Sequence, residues 1–171
     1  MIYIIPMLYY IGVFRMYKDF LKDDASKVVF LARLSEEERR SALRNEFNQI
    51  ISLSDEEITN VYVQLIEAMN TLDNDDKFNF FKSYVECLHD DFGLTAMERV
   101  NRAYLSALAR TPESVRRRDS SDVYSFISNL NDKYREAFVK SSTEAFRSLP
   151  NDIKTTLVNS LSQDVVNLLS R

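Results

Sequence analysis

Residues 53–72 read LSDEEITNVYVQLIEAMNTL, and their reading decides the fold. Ser54 is followed three places on by Glu57, the capping-box spacing in which the hydroxyl satisfies an orphan helix amide and the glutamate reaches back. Behind this start, Ile58, Val61, Leu65, Met69 and Leu72 return at three- and four-residue steps, the period of one helix face.

The same arrangement recurs on either side. A leucine followed by a capping residue stands at Leu34-Ser35-Glu36, Leu53-Ser54-Asp55, Leu72-Asp73-Asn74, Leu94-Thr95-Ala96, Leu130-Asn131-Asp132 and Leu149-Pro150-Asn151. These leucines step almost evenly along the chain, save for one double-length gap between Leu94 and Leu130. Thr111-Pro112-Glu113, with Pro at the first helical position, falls near the middle of that gap. Ser35 with Glu38 and Thr95 with Glu98 repeat the capping box. Helical periodicity follows each start: Leu43, Phe47, Ile50 and Ile51; Phe78, Phe81, Val85 and Leu88; Met97, Val100, Tyr104, Ala107 and Leu108; Val123, Phe126, Ile127 and Leu130; Tyr134, Phe138, Ala145 and Phe146; Ile153, Leu157, Leu161, Val165 and Leu168. No stretch alternates at period two. The expectation is a single all-α domain over 1–171, with about eight or nine short antiparallel helices. One step is a helix with its turn and two steps make one helical hairpin, so the array is either an orthogonal bundle or a short solenoid-like stack of hairpins.

The N-terminal stretch Met1–Phe14, MIYIIPMLYYIGVF, carries no charge. It is shorter than the ~20 residues needed to cross a hydrocarbon core and lacks the basic leader and small-residue cleavage site of a secretory signal. Tyr10, Ile11, Phe14, Tyr17 and Leu21 predict a helix from about Met7 to Lys22. Residues 1–22 are thus an apolar N-terminal helix of the core, a membrane-surface helix, or an extension upstream of Met7 or Met16.

Composition excludes much chemistry. The chain has 171 residues, with two Gly, three Pro, one His, one Cys and no Trp. Glycine-dependent phosphate loops and dinucleotide fingerprints are ruled out. His89 is the sole histidine and no Gly-x-Ser-x-Gly turn exists, so a hydrolytic triad is not expected. Glu86, His89 and Asp90 share a helix face at i, i+3 and i+4, but a di-iron site built from Glu-x-x-His pairs needs two histidines. Asp73-Asn74-Asp75-Asp76 fails the calcium-loop pattern, which requires an oxygen ligand, Gly and Glu where Lys77, Phe78 and Tyr84 stand. Neither cofactor nor metal is expected, and the chain reads as a non-enzyme. Cys87 has no partner for an intramolecular disulfide and suits a small buried hydrophobe. The expectation is an intracellular, cytoplasmic protein, peripheral on a membrane if residues 1–22 bind its surface.

Charge is uneven. The net −4 splits into +2 over residues 1–34 (five Lys/Arg, three Asp/Glu), −9 over 35–95 (five, fourteen) and +3 over 96–171 (twelve, nine). Such polarity points to a charged protein partner or head-to-tail self-association. Arg110 and the run Arg116-Arg117-Arg118 form the densest basic cluster and are the candidate partner-binding residues, with Asp119 and Asp122 beside them. Reversing Arg116 and Arg117 is expected to leave folding intact. Nucleic acid is not an expected partner, because the domain is acidic and its basic residues are not interleaved with a stacking platform, and a small-molecule substrate is not expected either. The function the sequence supports is a non-catalytic helical interaction or scaffold module, with binding of an apolar ligand or membrane surface through the aromatic N-terminal segment as the alternative.

Overall fold

The computed structural model describes residues 25–170, of which 86% are helical with no strand. The predicted helix over Met7–Lys22 lies outside the described residues. The elements are α1 (Ala25–Arg33), α2 (Glu36–Ile50), α3 (Asp55–Met69), α4 (Asn74–Cys87) continued by a π-helical turn (Leu88–Phe92), α5 (Gly93–Arg110), α6 (Glu113–Ser128), α7 (Asp132–Ser148), α8 (Asn151–Ser160) and α9 (Gln163–Leu169).

Most starts obey the cap chemistry. Ser35 and Ser54 close full capping boxes with Glu38 and Glu57, whose carboxylates accept the Ser35 and Ser54 backbone N–H groups at 3.2 and 2.9 Å. Asp73 accepts the Asp76 N–H at 2.9 Å, so the acids of 73–76 serve a helix end. Pro112 and Pro150 precede the first helical residue rather than occupying it, at φ −55° and −56°. The expected start at Leu94-Thr95 is corrected: Thr95 lies inside α5 and caps nothing. The chain bends earlier, where Gly93 takes φ 80° and ψ 178° and donates its N–H to Leu88 O. Only glycine occupies that backbone region readily, so a glycine at position 93 overrides the capping-box pattern two residues later.

The helices form two layers. In one, α1 packs on α3, α3 on α5, α5 on α7 and α7 on α9; in the other, α2 packs on α4, α4 on α6 and α6 on α8. Contact between each helix and the next but one is how a stack of helical hairpins packs. A single hydrophobic core runs from Val28 to Leu169. Edge-to-face pairs such as Phe47–Tyr84 at 5.2 Å and Phe81–Phe138 at 5.3 Å tie helices across it.

The stack is a tandem duplication with one constant register. Leu31-Ala32-Arg33-Leu34-Ser35-Glu36-Glu37-Glu38-Arg39-Arg40 has its counterpart in Leu108-Ala109-Arg110-Thr111-Pro112-Glu113-Ser114-Val115-Arg116-Arg117. The first helical residues pair at the same offset without a gap, Glu36 with Glu113, Asp55 with Asp132 and Asn74 with Asn151. Thus α1 to α4 correspond to α5 to α8, and the π turn corresponds to α9. Copy two breaks where copy one runs on: Ser162 caps α9, its hydroxyl accepting the Val165 N–H. The short cap-to-cap step is one helix with its turn, and four such steps make the true repeat.

Candidate functional site

Duplication sets the place of the most buried charges. Arg39, one turn into α2, is buried. It donates to the carbonyls of Leu31 (3.2 Å), Ala32 (3.0 Å) and Leu34 (2.6 Å) at the end of α1, and to Asn79 O (3.0 Å) and Ser83 Oγ (3.1 Å) on α4. Burial holds its guanidinium below the usual arginine range. Its counterpart Arg116 repeats the clasp in copy two, donating to Leu108 O (3.0 Å), Ala109 O (3.1 Å), Thr111 O (2.8 Å) and Ser160 Oγ (2.7 Å). A helix leaves its last carbonyls without internal partners, and a cation there satisfies them and the negative end of the dipole.

This corrects one candidate. Arg116 is 8% exposed and fully engaged inside the fold, so it does not reach a partner, and its replacement by glutamate is not a surface change. The other arginines do not converge. Arg110 grips Glu56 through two 2.8 Å bonds and Asn60 at 3.2 Å, joining α5 to α3. Arg117 pairs with Glu113 on its own helix at 2.7 Å, and Arg118 is exposed. Asp119 and Asp122 serve neighbours other than these arginines: Asp119 accepts the Tyr104 hydroxyl at 2.5 Å, and Asp122 meets the buried Lys77 ammonium at 2.6 Å.

Glu86, His89 and Asp90 form no shared face for a metal. Glu86 is buried between Arg40 and Lys82, each at 3.8 Å, and burial pushes its carboxyl up. Asp90 is the hub of a polar junction between the copies, accepting from His89 Nδ1 (2.9 Å), Lys133 Nζ (3.0 Å), Tyr134 OH (2.9 Å) and Arg40 (3.2 Å). Desolvation opposes its charge, but the four donors together outweigh it and hold the carboxyl well below the usual range. Among the described residues no group of three or more His, Cys, Asp or Glu is placed to hold a metal ion. Cys87 is buried, and its thiol is pushed up to about 12 by burial and by Asp91.

Two concavities stand out. A cavity of about 60 Å³ lies where the copies meet, walled by Tyr62, Tyr84, Asn101, Tyr104, Asp119 and apolar side chains. The Tyr62 and Tyr84 hydroxyls bond each other at 2.9 Å, and burial pushes both phenols up. Asp119 is pushed up to about 6, chiefly by burial. The polar groups here are hydrogen-bonded and present no pair of acid and base across an open space.

The second concavity is an open groove of about 700 Å³ between α6, α7 and the end of α9, lined by Tyr124, Ile127, Arg135, Val139, Lys140, Thr143, Arg147 and Leu168 among others. Tyr124 is one of the few large hydrophobic residues left exposed. Sequence reading missed this groove, because Tyr124 and Val139 carry no motif. The register of the duplication locates it. Tyr124, Ile127, Arg135, Val139 and Thr143 correspond to Phe47, Ile50, Ile58, Tyr62 and Ile66, all of them buried in copy one. In copy one this face carries α5: the Tyr104 ring meets Tyr62 edge-on at 6.4 Å, and Arg99 bonds Ile51 O (2.7 Å), Leu53 O (2.6 Å) and Asp55 (2.8 Å).

Comparison of the chain with protein-family models, with curated proteins and with solved structures finds no match. No helix among the described residues is long and apolar enough to cross a membrane.

Proposed function

We propose that this chain is a non-catalytic interaction module that receives a helix of a protein partner in the groove between α6, α7 and α9. One observation carries the reading: the same face in the first copy already holds a helix, α5, which packs along α3 with its Tyr104 ring against Tyr62 and its Arg99 on Ile51 O. Helix-in-groove recognition uses apolar anchors at helical spacing with a charged rim, and the groove supplies Tyr124, Ile127 and Val139 between Arg135, Glu136, Lys140, Glu144 and Arg147. The clasped arginines and the Asp90 junction hold the array rigid around that face. The test is site-specific photocrosslinking in cells from a benzophenone side chain at position 124, with position 158 as control, since Val158 is as exposed (45%) but lies outside the groove. Protein adducts formed from 124 and not from 158, and lost in Val139→Glu, support the reading. Equal labelling from both positions overturns it.

A further inference from the structure

We infer that the helix received by the groove is α1 of a second copy of this chain, giving a head-to-tail contact; this rests on the groove reading above. The register names the occupant. The face of α3 is covered by α5, and α5 is itself the counterpart of the stretch 16–33, whose described part is α1. A helix at the place of α5, laid on the face of α7, is therefore an α1-type helix.

Both ends carry the marks of such a joint. On α1, Phe30 is 49% exposed, while its counterpart Ala107 is completely buried in α5. In the groove, Tyr124 is 41% exposed, while its counterpart Phe47 is 1% exposed.

The joint is also built weaker than the one inside the chain. Arg135 and Thr143 replace Ile58 and Ile66, and Lys133 replaces the Glu56 that pairs with Arg110. Such polar replacements suit a repeat that must stay dissolved when its face is open. The contact is heterologous, because two different surfaces meet, so it extends to chains of molecules unless one end is blocked.

The test is sedimentation of the full chain across a concentration series, with three variants. Phe30→Glu and Tyr124→Glu each block one end, and each alone is expected to weaken self-association about tenfold or more. Mixed in equal amounts, they retain one intact joint and are expected to form a closed 1:1 dimer. Val158→Glu, an equally exposed position outside the groove, is expected to leave association unchanged. A chain that stays monomeric throughout the series overturns the inference while leaving the crosslinking test of the groove untouched. Loss of association in Tyr124→Glu without loss in Phe30→Glu also overturns it, assigning the groove to another helix.

Discussion

Arg39 and Arg116 make the same clasp twice, each donating to three carbonyls around the end of the preceding helix and to a serine of a later helix, Ser83 or Ser160. The clasp locks three helices of each copy, so its removal leaves two helix-end carbonyls without a donor, those of Ala32 and Leu34 or of Ala109 and Thr111, whereas Leu31 O and Leu108 O keep the N–H groups of Leu34 and Thr111.

Replacing either arginine by methionine is expected to cost about 3 kcal/mol or more, since each orphaned buried acceptor costs about 1–3 kcal/mol. Arg116→Glu, which adds a buried unpaired anion, is expected to prevent folding. Arg117→Glu, on the exposed side of the same turn, is expected to stay within about 0.5 kcal/mol. Urea unfolding monitored by circular dichroism separates the three.

The buried carboxyl of Asp119 makes stability depend on pH in an unusual direction. Its folded-state pKa is raised to about 6 from the ordinary 3.8, so the folded protein binds a proton that the unfolded chain releases. Stability from this group is full below about pH 4, falls as pH rises to about 6, and is flat above, by on the order of 3 kcal/mol. Asp119→Asn, which still accepts the Tyr104 hydroxyl, is expected to abolish that slope and raise stability at pH 7. Asp90, held low by its four donors, acts oppositely and only at more acidic pH. Melting temperatures of both proteins at closely spaced pH values provide the check.

Gly93→Ala is expected to destabilise by about 1–3 kcal/mol. Nothing lies within 4 Å of the added methyl, so the cost comes from the backbone at φ 80° alone. Thr95→Ala is the control: Thr95 caps no helix, and its loss is expected to be near neutral in the same thermal melts.

Cys87 is expected to resist alkylation at pH 8 in the native protein, because burial and the neighbouring Asp91 keep it a thiol. Labelling at a rate that follows urea-induced unfolding is the expected result, measured by mass spectrometry.

Helices and most of their starts were readable, because apolar period and cap chemistry are local: Ser35, Ser54 and Asp73 do what their spacing implies. Thr95 misleads because the same four-residue spacing also fits inside a helix, and only the backbone at Gly93 decides between the two. Arg116 reads as solvated because charge runs usually are, yet five donors on one planar group can be satisfied by the carbonyls of a helix end. Its equivalence to Arg39 was present in the sequence as the pair of Leu-Ala-Arg segments, but the counterpart positions differ in most other residues and the shorter spacing of the caps masks them. The groove was not legible at all, since an exposed Tyr124 and a buried Phe47 are the same kind of residue until packing separates them.

The shared position of α5, with α3 on one side and α7 on the other, means that the seam of the duplication is not a boundary between independent halves. Separating the chain at the Phe92–Gly93 bond would strip α3 of the cover over Tyr62 and would equally bare Tyr104 on α5 and Phe138 on α7. A chain nicked at that point is therefore expected to stay together as one folded body, and its two fragments to unfold or aggregate when separated.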